Sequence, residues 1–230
     1  MDLPKAGIPA AYDKFALLSA AIRSRYLKDM MDRSVALYYH RRLPDRIRNY
    51  LNDERGISDE VIHSSLLGWN GQRITIPIFD RERNLVFFKL AKDPNEKCDS
   101  PERLVDPVGS PAELYGWDRV LARPGRIIIC DGEFDRLVLE SHGFVALTST
   151  AGIAFKPEWA NEIEKISSVY VCMGNNPFAR KGAELVASLI PQARVVTLPE
   201  EVGESGNVTD FFVRLGHSNE DFERLLSETR

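Results

Sequence analysis

The chain has 230 residues, 43% of them apolar and 28% charged, with 30 Lys and Arg against 34 Asp and Glu. Enough apolar material is present for one large core or two small ones, which excludes global disorder. No apolar run approaches the roughly 20 residues of a membrane helix, and a net charge of −4 excludes a globally basic nucleic-acid coat while leaving room for a local basic face.

The opening stretch MDLPKAGIPAAYDKF is interrupted by Pro4, Pro9 and Asp13 and lacks a signal-peptide layout. The periodicity of FALLSAAIRSRYLKDMM and SVALYYHRRL predicts helices, because apolar residues recur at three- and four-residue steps. Pro44 suits the first turn of a helix through DRIRNYLNDER that Gly56 ends. Ser58 is an N-cap candidate for a short helix DEVIHSSLL, expected to close at Gly68.

From Arg73 the period changes to two. ITIPIF and NLVFFKLA read as an antiparallel strand pair around the charged turn DRER. Residues 92–113 hold four prolines and many polar residues, and read as a surface loop long enough to be functional. After Tyr115 strands and helices alternate: RIIIC, FDRLVLESHG, VALTST, KPEWANEIEKI, SVYVCM, ARKGAELVASLI, ARVVTL, and finally VTDFFVRLG with HSNEDFERLLSETR. Such alternation predicts a mostly parallel sheet with helices on both faces. The expected fold class is an α+β front subdomain followed by an α/β domain. The expected segments are an N-terminal helical stretch (1–34), the front subdomain (35–114), the α/β domain (115–215) and a C-terminal helix (216–230).

Cys98, Cys130 and Cys172 have no CxxC spacing and read as reduced thiols of a cytoplasmic protein. With His40, His63, His142 and His217 scattered, no zinc site is expected. Trp69, Trp117 and Trp159 read as core or lid residues. Gly143 reads as a helix C-cap, and Gly152 as a close turn.

In open parallel sheets ligands bind beyond the carboxyl ends of the strands. There the sequence places Asp131-Gly132-Glu133-Phe134-Asp135 after RIIIC, Gly174-Asn175-Asn176-Pro177 and then Arg180-Lys181 after SVYVCM, and Gly206-Asn207-Val208-Thr209-Asp210 beyond VVTL.

These motifs, in this order, resemble the catalytic core of a bacterial-type DNA primase, which is built on a TOPRIM domain. The matching strings are strand-D-G-x-x-D, GFVALTSTAG, VYVCMGNNPFARKGAEL and GNVTDFF; in front of them, RNYLNDERGISDEVIHSSLLGW and RITIPIFDRERNLVFFKLAKD resemble the helical lead-in and strand pair of the same family. The resemblance runs from about residue 35 to 215. It implies synthesis of short RNA primers on single-stranded DNA from ribonucleotides, with a helicase or another replication protein as partner and no membrane. It also implies carboxylates at three strand ends holding Mg²⁺ or Mn²⁺, hard cations that take oxygen ligands and align an in-line phosphoryl transfer.

By the same resemblance the catalytic residues are Asp131, Asp135 and Asp210, with Asp131 and Asp210 as metal ligands. Lys89, Lys92, Arg103, Arg180 and Lys181 handle nucleic acid or nucleotide. The chain departs from the family at most acidic positions. The motif glutamate is Asp131, the two aspartates of the second motif fall on Gly174 and Asn176, and the first of the third falls on Asn207. Ala91 stands where the family places an arginine. Removing about three negative charges from a divalent-ion site weakens it by several kcal/mol even at moderate dielectric. Metal binding is therefore expected to be weak or absent, and polymerisation weakened or lost.

Three accounts stay open at this point: a natural non-catalytic relative that binds nucleic acid or a partner, a chain disabled on purpose, or one ion still held by Asp131, Glu133, Asp135 and Asp210. A TOPRIM nuclease is a further alternative, disfavoured by the primase-like front half. Glu133 is expected to face solvent. Arg41, Arg42, Arg46 and Arg48 with Tyr38, Tyr39 and Tyr50 form a basic, aromatic cluster that either holds a phosphate backbone or is a solvated helix face. The sequence reads as a core alone, with neither a zinc module before it nor a long helicase-binding tail after it.

Overall fold

A computed structural model of the chain describes residues 33–96 and 110–229, together with the backbone of the short strand Leu104–Val105. The expected helix FALLSAAIRSRYLKDMM, Cys98 and Arg103 lie outside the described residues.

Helix α1 is Arg33–His40 and α2 is Asp45–Asn49, with Pro44 extended at its N-cap rather than inside its first turn. Helix α2 runs into a wider π-helical turn, Tyr50–Glu54, and Gly56 ends it at φ +68°, a conformation that favours glycine. Helix α3, Asp59–Ser64, starts as predicted, with the Ser58 hydroxyl accepting from the Val61 N–H at 3.3 Å. It does not close at Gly68. The chain turns earlier, at Leu66 (φ +52°), and Gly68 opens strand β1, Gly68–Trp69. The glycine is needed there because a Cβ would lie 2.5 Å from the Tyr39 backbone of α1.

Strand β2, Ile74–Phe79, and β3, Leu85–Ala91, pair antiparallel as their alternation predicted. The segment expected to be plain loop contributes a further strand, β4, Leu104–Val105, which pairs with Leu90 and Ala91. The front sheet therefore runs β1-β2-β3-β4.

Beyond it come β5 (Leu114–Tyr115), α4 (Trp117–Leu121), β6 (Arg126–Cys130), α5 (Glu133–Ser141), β7 (Ala146–Ser149) and α6 (Pro157–Ile163). Then follow β8 (Ser168–Cys172), α7 (Pro177–Ser188), β9 (Ala193–Val195), a 3₁₀ turn at Glu200–Val202, a π-helical turn at Asp210–Arg214 and α8 (Asn219–Glu228). The sheet order is β5-β7-β6-β8-β9, parallel except for the edge strand β5. Strand β9 is shorter than the run ARVVTL suggested. Its last ladder-like bond is from Val196 N–H to the Val171 carbonyl, after which the chain leaves for Pro199.

Strands β6 and β8 are buried on both faces, which explains their unbroken apolar runs. Ile127, Ile129, Val169 and Val171 join Trp117, Trp159, Ile163 and Val186 in one core. Ile128, Cys130, Tyr170 and Cys172 face the opposite way, against Phe134, Leu137, Phe211 and Phe222. That second core continues into the front half through Ile47, Leu51, Ile74 and Ile76. A single apolar cluster thus crosses residue 115, and front and back halves share buried surface. Trp69, Trp117 and Trp159 are all buried, and Cys130 and Cys172 are buried free thiols. Among the described residues no helix is long and apolar enough to cross a membrane.

Candidate functional site

Strand β6 delivers Asp131 at its carboxyl end, half-buried, and burial raises its carboxyl above the usual range. Gly132 lets the chain turn into α5, whose first turn carries Glu133 and Asp135. Asp135 is buried. Its Oδ1 accepts from both the backbone N–H and the hydroxyl of Thr209, at 3.0 and 2.6 Å. Burial pushes its pKa up to about 6 despite those two bonds, and the neighbouring Asp131 and Asp210 push in the same direction. The three predicted acids are therefore brought within electrostatic reach of one another.

The next strand end, after β8, is built from backbone and amides. The Asn175 N–H donates to the Gly206 carbonyl at 2.9 Å, and its side chain donates to the Pro199 carbonyl. These bonds fasten the β8 loop to the Gly206–Asp210 loop. Asn176 is the N-cap of α7, its Oδ1 accepting from the Ala179 N–H at 2.8 Å with Pro177 in the first turn. Gly174 sits where a Cβ would come within 3.1 Å of the Gly206 carbonyl oxygen.

Asn207 and Asp210 are joined by two reciprocal bonds: the Asn207 Oδ1 accepts from the Asp210 N–H, and the Asp210 Oδ2 accepts from the Asn207 N–H. Arg214 donates to the other Asp210 oxygen, Oδ1, at 2.9 Å.

Most of this donor set is already engaged within the protein and ill suited to a divalent cation. Asp210 has both oxygens engaged by protein donors, Asp135 is buried under Thr209, and Asn176 and Asn207 spend their carbonyl oxygens on helix starts. Among the described residues, no three His, Cys, Asp or Glu side chains are arranged to hold a metal. A hard cation that takes 6–8 oxygens, or an octahedron with several waters, does not fit this arrangement as it stands.

Among the basic candidates, Lys89 does not face a groove. It is 9% exposed and its Nζ lies 3.2 Å from Glu133 Oε1, so it ties β3 to the start of α5. Glu133 is correspondingly buried, 4% exposed, which corrects the expectation that it faces solvent. Its place on α5 turns it toward the front sheet, where burial requires a cationic partner.

Lys92 lines a cavity of about 180 Å³ together with Tyr50, Arg55 and Asp93. Arg55 connects this cavity to the strand-end region. Its guanidinium lies 4.3 Å from the Phe134 ring centroid, and its Nε donates to the Tyr50 hydroxyl at 2.8 Å. Arg180 and Lys181 are exposed on the first turns of α7, next to exposed Phe178.

Of the basic cluster, Arg46 forms a two-bond fork with Asp93 at 2.8 and 2.7 Å, and Arg48 bonds Asp59. Those two are internal ties of the front half. Sequence reasoning did not single out Arg55 or Thr209. The only signal for either was position, Arg55 immediately before the helix-ending Gly56 and Thr209 between two assigned motif residues.

No protein-family model matches the chain, and no curated protein matches it in sequence. Solved structures do match. The crystal structure of the Aquifex aeolicus primase, comprising zinc-binding and RNA polymerase domains, superposes with a TM-score of 0.70 at 19% identity, over 94% of this chain and 63% of that one. The E. coli primase catalytic core gives 0.68 at 20% identity, over 88% and 80%. A DnaG primase catalytic domain bound to single-stranded DNA gives 0.67 at 20% identity, over 96% and 80%. The chain spans less than two thirds of the Aquifex protein's length. It has the fold of a bacterial primase catalytic core.

Proposed function

We propose that the chain is a primase-like TOPRIM protein that holds single-stranded nucleic acid while its metal-dependent nucleotidyl transfer is weakened or lost. One observation carries the reading. At the second and third strand ends, where the chemistry needs free carboxylates, the side chains present are occupied in holding the protein's own loops and helix starts. Gly174 offers backbone alone, Asn176 and Asn207 cap helical turns, and Asp210 bonds Asn207 and Arg214.

The binding half of the proposal rests on cationic and aromatic groups around that floor. Arg180 and Lys181, exposed on α7, supply cations for phosphates, whose neutralisation gives sequence-independent affinity, and Arg55 and Lys92 add positive charge at the cavity they share. Phe178, 65% exposed beside Arg180, offers a ring for base stacking. A neighbour of the same fold is bound to single-stranded DNA, which favours the same ligand here. Arg103, placed by the resemblance in a loop reaching toward the site, belongs to this proposal as a further contact. Ribonucleotides, Mg²⁺ or Mn²⁺ and a helicase-type partner are the family's other ligands, and of these the metal is the one whose donors are compromised.

The test has two arms. Primer synthesis on a single-stranded template with ribonucleotides and Mn²⁺ is compared between the native chain and a variant carrying Gly174→Asp, Asn176→Asp and Asn207→Asp. In parallel, fluorescence anisotropy follows binding of a labelled single-stranded oligonucleotide. Binding without primer synthesis by the native chain is the expected result. Primer synthesis equal to that of the variant overturns the loss of chemistry, and no oligonucleotide binding overturns the binding role.

A further inference from the structure

A second cavity of about 180 Å³ lies on the other side of α5 from Asp135, between the β2–β3 hairpin, the end of α3 and helix α4. Asp135 and Arg136 are sequence neighbours, but a helix sends consecutive side chains about 100° apart. Asp135 meets Thr209, and Arg136 lines this cavity.

Arg136 is 4% exposed, and its Nη1 is buried with no hydrogen-bond partner. A buried guanidinium with an unmet donor is a costly arrangement that a bound acceptor would relieve. Its other contacts hold it in place without satisfying that nitrogen. Nε donates to the Ala146 carbonyl at 3.2 Å, and the group stacks 4.0 Å from the Tyr115 ring centroid. Glu140, its nearest carboxylate at 3.7 Å, is mainly engaged by a fork from Arg119, at 3.0 and 2.5 Å.

Arg33, Arg83 and Arg119 line the same cavity. Against them stand Asp80 and Asp118. Asp80 already accepts from the backbone and side chain of Asn84, and Asp118 lies 3.7 Å from Arg119. Four guanidinium groups line the cavity against two acids, Asp80 and Asp118, with Glu140 behind Arg119 and Arg136, and the lining carries an excess of positive charge.

We propose that this cavity binds a phosphoryl oxyanion. A tetrahedral phosphate presents acceptors in several directions, which suits guanidinium groups arriving from α1, the hairpin, α4 and α5. A carboxylate, with two coplanar oxygens, would satisfy fewer of them. The volume admits a phosphate-sized ion or several waters. The site is distinct from the strand-end groove and does not depend on whether that groove retains chemistry.

Calorimetry on the full chain at constant ionic strength tests the proposal, with inorganic phosphate and glycerol phosphate as probes and acetate for comparison. One saturable phosphoryl site is expected. It should weaken at least tenfold in Arg136→Gln and severalfold in the exposed pair Arg33→Ala with Arg83→Ala. It should be unchanged in Lys92→Ala and Lys181→Ala. Equal affinity for both phosphoryl probes identifies the free ion as sufficient, and tighter glycerol phosphate identifies a phosphomonoester; both support the site. If Arg136→Gln fails to fold, the Arg33 and Arg83 pair decides alone. Absent saturation, acetate binding as tightly as phosphate, or loss of binding in the Lys92 or Lys181 variants rather than in the cavity variants overturns it.

Discussion

Asn207 and Asp210 hold each other, each side chain accepting a hydrogen bond from the other's backbone N–H, at 3.0 and 3.2 Å. This is the geometry of a capping box, and it occupies the position where the family motif would place a metal-facing acid pair. Asp210→Ala removes one cap and the Arg214 contact, and should lower stability by about 1 kcal/mol, measured by urea denaturation. Asn207→Asp keeps the cap, since Asp and Asn serve equally well there, but sets two carboxylates side by side. Manganese should therefore raise the melting temperature of the triple acid variant, because a ligand bound only by the folded state stabilises it by mass action. The native chain should show no such rise.

Asp135 gives a pH signature. Its folded pKa of about 6 lies above the ordinary value of 3.8, so the folded chain binds this proton more tightly than the unfolded chain does. Its contribution to stability therefore falls as pH rises from about 4 to about 6 and is flat above. Asp135→Asn can accept both Thr209 bonds on its amide oxygen without the buried charge. It should stabilise the chain at pH 7–8 by about 2–3 kcal/mol, at about 1.4 kcal/mol per pKa unit, with the gain vanishing below pH 4. A gain that persists at pH 3.5 would contradict the ionisation argument. Denaturant midpoints across that range supply the measurement.

Lys89 and Glu133 form a buried pair between the front sheet and α5. Lys89→Met should cost about 3–5 kcal/mol, because removing one partner strands the other charge. Lys89→Met with Glu133→Gln should cost far less than the sum of the two single changes. Additive effects in this double-mutant cycle would show that the pair is not coupled. Oligonucleotide affinity should change little in the double variant, since Lys89 faces inward.

Arg180 and Lys181 are exposed cations on α7. If they neutralise phosphates, replacing both with alanine should make the plot of log affinity against log salt shallower by about 1.4, at roughly 0.7 per phosphate contact on a single strand. Anisotropy titrations between 50 and 200 mM salt, on the order used for such slopes, would report it. An unchanged slope would remove both residues from the interface.

The order of strands and helices was readable from period and composition because β6 and β8 are continuous apolar runs, and the Ser58 cap sits at a helix start. Gly68 was misread because a glycine after a helical stretch suits a C-cap as well as a close packing contact, and only the approach of Tyr39 separates the two. Glu133 was misread for a related reason. The family-like motif put it outward, but it meets Lys89, more than forty positions away in the chain, across two elements. At the site, residue identities were legible. The capping bonds of Asn176 and Asn207 span only three positions and were overlooked because those residues were compared with motif acids, whereas Arg55 over Phe134 depends on tertiary geometry that no local spacing encodes.

The contact between Gly174 and Gly206 bears on reversibility. Asn176 and Asn207 each stand one atom substitution from an acid that would serve the same capping role, so two of the three missing carboxylates can return without disturbing the backbone. The third asks the backbone to give. A Cβ at Gly174 meets the Gly206 carbonyl at 3.1 Å, and Gly206 cannot take a side chain of its own, because its Cβ would lie 2.1 Å from the Val202 carbonyl. The Gly206 carbonyl must shift by a few tenths of an ångström to admit an acid there, and the Asn175-to-Gly206 bond shifts with it. Restoring the family-type charge is thus two simple exchanges and a third that shifts backbone, and a directed-evolution search for polymerisation would have to accommodate the Gly206 carbonyl on the way.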